Sequence, residues 1–135
     1  MTNESYVSFE VAELLKKAGF DVPVYACCLN ADRMARNDFP VNYNSYDSGR
    51  ISCPTQDVAI KWLREQFQIH VFPTLNYVSR MWFYCIVNMK TLTAAEGMSM
   101  SDDEDEFEYY EQAIDSCLKK VLRQYILHEE ETTSD

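Results

Sequence analysis

Glycine is scarce in this chain: three residues of 135, at positions 19, 49 and 97. None opens a glycine-rich turn before a helix, the element that cradles a phosphate with backbone amides. There is no G-x-S-x-G elbow and no Cys-x-x-Cys pair. Histidine occurs only at His70 and His128, and neither has a cysteine or second histidine at zinc-ligand spacing. No apolar run approaches the roughly 18 residues that a membrane helix needs. No cofactor, metal, catalytic residue or membrane contact is therefore expected. What is plentiful is apolar and aromatic side chain, 47% and 13% of the chain, enough for one folded core.

Basic charge is missing from the last third. Residues 1–95 hold nine acidic and nine basic side chains. Residues 96–135 hold thirteen acids against Lys119, Lys120 and Arg123, and so carry the whole net charge of −10. Nucleic-acid binding draws its affinity from Lys and Arg on phosphates, so it is disfavoured. The opening MTNESYVSFE has neither the basic start nor the apolar run of a secretory signal. A cytoplasmic location is expected, with the five cysteines reduced and acting as small buried apolar residues.

The apolar spacing outlines the elements. Ser8 can cap a helix over 8–18, whose apolar face is Val11, Leu14, Leu15 and Ala18 and whose end is marked by Gly19. Val24 to Leu29 reads as a strand buried on both faces. Residues 30–50 are polar and irregular and read as a long loop, with a short strand near 39–43. Ile51 to Cys53 reads as a short strand. Thr55 caps a helix over 55–67 with Val58, Ala59, Trp62 and Leu63 on one face. Ile69 to Leu75 reads as a strand that Pro73 confines to an edge, and Met81 to Met89 as a central strand. Residues 90–101 read as a linker. The pairs Ala113/Ile114, Cys117/Leu118, Val121/Leu122 and Tyr125/Ile126 predict a helix over 109–127.

The fold class expected is α+β: an antiparallel sheet of three to four strands, with three helices packed mainly on one face, in the order α-β-(β)-α-β-β-α. Residues 1–128 are expected to form a single domain and 129–135 a frayed acidic tail.

Two features stand out as candidate partner-binding residues. The first is the acidic run Asp102, Asp103, Glu104, Asp105, Glu106 and Glu108. It lacks the glycine turn and spaced ligands of a calcium loop, and it also complements the start of the last helix. The second is aromatic: Tyr43 and Tyr46 in the long loop, and Trp82 and Tyr84 in the central strand. Sheet aromatics can stack bases, but only Arg80 and Lys90 flank this strand, so a protein interface suits them better.

Three stretches carry a resemblance: Leu14 to Phe20 (LLKKAGF), Pro54 to Glu65 (PTQDVAIKWLRE) and Tyr110 to Ala113 (YEQA). Together they resemble a group of small phage- and prophage-encoded proteins of gut anaerobic bacteria. The resemblance implies phage origin and a bacterial cytoplasm, and it carries no active site. The function expected is a non-enzymatic module that binds a host or phage protein, in its sharpest form an inhibitor of host defence with an acidic surface. Two alternatives stand beside it: a homodimeric structural or accessory protein, using strand 81–89 or helix 109–127, and a metal-dependent hydrolase or nuclease built on converging carboxylates.

Overall fold

The structure, a computed structural model, describes residues 5–45, 49–90, 98–100 (backbone only) and 106–128. Helix α1 spans Phe9–Lys17. The Ser8 hydroxyl accepts from the Val11 amide at 3.2 Å, and Lys16 and Lys17 sit in the last turn, where the helix dipole favours cations. Gly19, at φ 94°, takes the left-handed position that ends the helix. The Phe20 amide then donates back to the Leu15 carbonyl at 2.9 Å, which turns the Phe20 ring into the core.

Strand β1 (Val24–Asn30) pairs antiparallel with β2 (Arg33–Val41) on one side and β3 (Ile51–Ser52) on the other. β2 replaces much of the loop expected over 30–50. Its side chains are almost all exposed, so it has no buried face to impose alternation on its sequence. It also bulges: two residues of β1, from Val24 to Ala26, face the five-residue step from Val41 back to Arg36. A 3₁₀ turn at Tyr43–Ser45 follows, tied down by Asn44, whose Nδ2 donates to the Phe20 carbonyl at 3.0 Å.

Helix α2 (Gln56–Phe67) starts on the Thr55 cap and stops at Gln68, in the left-handed conformation at φ 57°. Its Trp62 ring meets Phe20 and Phe67 edge-on, each at 5.2 Å. Strands β4 (Ile69–Leu75) and β5 (Trp82–Asn88) then form an unbroken antiparallel ladder from Ile69↔Asn88 to Leu75↔Trp82. β6 (Met98–Met100) pairs with the other side of β5. Pro73 thus lies on an edge strand and β5 is central, as their sequences predict. β6 falls within the stretch read as a linker.

The last helix, α3, spans Tyr110–Lys120 and continues as a π-helical segment over Val121–Ile126. Its paired stripe from Ala113 to Leu122 is fully buried. The chain is α+β, with the predicted order of elements and antiparallel pairing throughout. The strands fall into two three-stranded sheets, β2-β1-β3 and β4-β5-β6. α3 packs on β4 and β5, while α1 packs on β1, β3 and α3. One contiguous core joins Val11 and Leu15 of α1, Ala26 and Cys27 of β1, Leu63 of α2, Ile86 of β5 and Leu118 of α3. Of the expected linker and tail, residues 91–97, 101 and 129–135 lie outside the described residues.

Candidate protein-interaction surface

α3 begins at Tyr110, beside the far end of the β4–β5 hairpin. There the Trp82 ring meets that of Tyr110 edge-on at 5.2 Å, and Leu75 stands opposite Trp82 in the ladder. Leu75, Tyr109 and Tyr110 are exposed at this end. Two residues past Leu75, the connecting turn carries Tyr77 and Val78, 89% and 95% exposed. These are the two most exposed large apolar side chains among the described residues.

The turn that holds them is tightly bonded. The Asn76 amide donates to the Met81 carbonyl and the Arg80 amide to the Asn76 carbonyl, both at 2.8 Å, while Asn76 Oδ1 accepts from the Val78 amide at 2.9 Å. Arg80 completes the turn in the left-handed conformation at φ 62°. Glu106 then clasps it from outside, its Oε2 accepting from Asn76 Nδ2 at 2.8 Å and from Ser79 Oγ at 2.9 Å. Next to it, the backbones of Phe107 and Trp82 exchange two hydrogen bonds of 2.7 Å. The Phe107 ring lies stacked over Tyr84, centroids 6.3 Å apart.

This arrangement sorts the candidate residues. Trp82 and Glu106, more than twenty positions apart, are both brought to the hairpin end, and Glu108 is exposed. Tyr84 does not join them at the surface: at 3% exposure it is a core residue, because its side chain points from β5 toward the helices. Tyr43 is corrected in the same way. At 2% exposure it fills the core, its hydroxyl accepts from Asn37 Nδ2, and its amide donates to Ser52 Oγ at 3.0 Å. Asp102, Asp103, Glu104, Asp105 and Tyr46 lie outside the described residues. The sequence reading missed Tyr77, Val78 and Leu75. The signal was a bulky apolar pair, Tyr77-Val78, inside an otherwise polar turn.

Other chemistry-bearing groups serve the fold. An open cleft of about 510 Å³ runs between the start of α1, the start of α2 and α3. Several of its polar groups are already committed. Asp115 Oδ1 accepts from the Ser8 amide at 3.0 Å, and its Oδ2 lies 3.5 Å from Lys119 Nζ. Gln56 Nε2 donates to the Glu111 carbonyl at 3.0 Å, and Gln112 Oε1 accepts from the Tyr109 amide at 3.1 Å. All five cysteines are buried as free thiols. Burial pushes the Cys117 thiol up, and Cys27 as well despite the nearby Arg50. The Cys28–Cys53 hydrogen bond lowers Cys28 and raises Cys53, and burial raises Cys53 further. Among the described residues, no three His, Cys, Asp or Glu side chains are grouped to hold a metal ion. No helix among them is long and apolar enough to cross a membrane.

No family model, curated protein or solved structure matches the chain.

Proposed function

We propose that the chain is a non-enzymatic protein-interaction module that binds a host or phage protein through the end of the β4–β5 hairpin. One observation carries this reading: Tyr77 and Val78 stand almost fully exposed on a turn fixed by Glu106. Exposed apolar groups cost solubility, and groups held rigid lose little entropy when a partner covers them. The resemblance to phage-encoded proteins is what suggests a partner in an infected bacterium. The sharper form of this reading is inhibition of a host defence protein by an acidic surface.

The test is affinity capture from the lysate of a bacterial host, comparing the wild-type chain with a Tyr77→Ser/Val78→Ser variant. A discrete protein retained by the first and lost by the second is expected. Equal capture by both, or none by either, overturns the reading.

A second reading, a homodimer, is favoured by the outer face of the β4–β5 hairpin itself. His70, Phe72 and Thr74 of β4 and Phe83, Cys85 and Val87 of β5 share that face by register, outside the contiguous core; Cys85 at its middle is buried and the others are partly exposed. None bears an acidic or strongly basic group, in a chain of net charge −10. A second copy could cover that face with little like-charge repulsion.

A further inference from the structure

Strand β2 lies at the edge of its sheet, and among the described residues it pairs with β1 alone. The Cys53 amide donates to the Ala26 carbonyl at 3.0 Å, so Ala26 turns its backbone groups toward β3. The next residue, Cys27, turns the other way, toward Ala35 of β2. Met34 and Arg36, on either side of Ala35, therefore direct their amides and carbonyls to the outer edge. Both are exposed, as are Arg33, Asn37, Asp38, Phe39 and Pro40. No ion pair among the described residues takes up Arg33, Arg36 or Asp38. The Arg36 guanidinium rests 5.6 Å from the centre of the Tyr6 ring.

Open backbone groups on an edge are satisfied by an extended chain, and charges and proline on that edge limit which chain can bind. We infer that β2 pairs edge to edge with β2 of a second copy, antiparallel about a twofold axis at Asn37. Asn37 is the middle of the nine-residue strand, so this register overlaps the strands over their full length. It sets Arg36 of each copy opposite Asp38 of the other, and the apolar Met34 and Ala35 opposite Pro40 and Phe39. The neighbouring registers with the same backbone alternation place the axis at Arg36 or at Asp38's position and oppose like charges there, which is destabilising. The bulge between Arg36 and Val41 lies, in each copy, against the regular half of the other strand. β2 holds two arginines and one aspartate, so joining two copies of this acidic chain there gathers no negative charge. The contact is isologous and belongs to the sheet that does not contain the β4–β5 hairpin.

The test is sedimentation equilibrium of the full chain over a range of concentrations, with a charge exchange across the axis. The wild-type chain is expected to dimerise. Arg36→Asp and Asp38→Arg each oppose like charges at both pairs and should weaken the dimer roughly tenfold or more. An equal mixture of the two variants opposes unlike charges again, as does the double variant Arg36→Asp/Asp38→Arg, and both should restore dimerisation. A wild-type chain that stays monomeric at every concentration overturns the inference. So does a dimer that both single variants retain, which would belong to another surface and is then to be sought with Phe83→Lys. Loss in the single variants that neither the mixture nor the double variant repairs also overturns it, because a contact between Arg36 and Asp38 must respond to the exchange.

Discussion

Asp115 shows how one side chain can join distant parts of the chain. Its Oδ1 accepts the Ser8 amide, so the residue that caps α1 is itself held by α3. Asp115→Ala leaves that amide without its partner and should cost roughly 1–2 kcal/mol of unfolding free energy in urea melts. The Lys119 pair beside it contributes little, being partly open to water, so Asp115→Asn should cost distinctly less. His70 offers a pH test. Burial holds its imidazole below the ordinary histidine value, with Arg64 adding repulsion, and its buried Nδ1 has no hydrogen-bond partner among the described residues. The unfolded chain therefore takes up a proton that the native chain resists. Stability should fall as pH drops through the unfolded value of about 6.5, and should not change for this reason at higher pH. In thermal melts at about pH 7.5 and 5.5, His70→Gln should lack this component of the loss. Parallel losses in both proteins would assign the slope to other groups.

At the scale of elements, the start and stop signals were legible wherever a side chain acts on its own backbone. Ser8 and Thr55 cap the helices they were expected to cap, and Gly19 ends α1. α2 ends differently, on Gln68 with positive φ, a conformation that costs a residue with a Cβ. Gln68→Gly should therefore raise stability by roughly 0.5–1 kcal/mol, read as a higher urea midpoint with an unchanged slope. Two features had no such local signal. The change to π-helical hydrogen bonding at Val121–Ile126 leaves the apolar pairing of the sequence intact, so spacing could not reveal it. β2 is exposed along nearly its whole length and is held by backbone pairing to β1, which leaves no trace in hydropathy.

On the scale of the whole molecule, the apolar surface is unevenly spent. The α3 stripe, a candidate for a dimer interface by sequence, is consumed by contacts with α1, β4 and β5. The outer face of β4–β5 stays partly exposed apart from the buried Cys85. If a second copy covers it, sedimentation equilibrium should show a concentration-dependent dimer that Phe83→Lys abolishes. A monomer at every concentration would leave only the hairpin end as a site of association. The two surfaces are distinct, so a dimer through one face leaves the other free for a partner.

The amino-acid order alone determined the helices, their caps, the central strand, the edge position of Pro73 and the gathering of negative charge in the last forty residues. Each depends on neighbours within a few positions, where periodicity, side-chain capping and the missing proline amide act directly. Tertiary structure decided the division into two sheets, the existence of β2, the burial of Tyr43 and Tyr84, and the placing of Glu106 on the turn that carries Tyr77 and Val78. Those outcomes depend on which backbone edges pair and on where α3 begins relative to the hairpin. Such contacts span tens of residues, and their energy is shared among many side chains rather than carried by any short stretch.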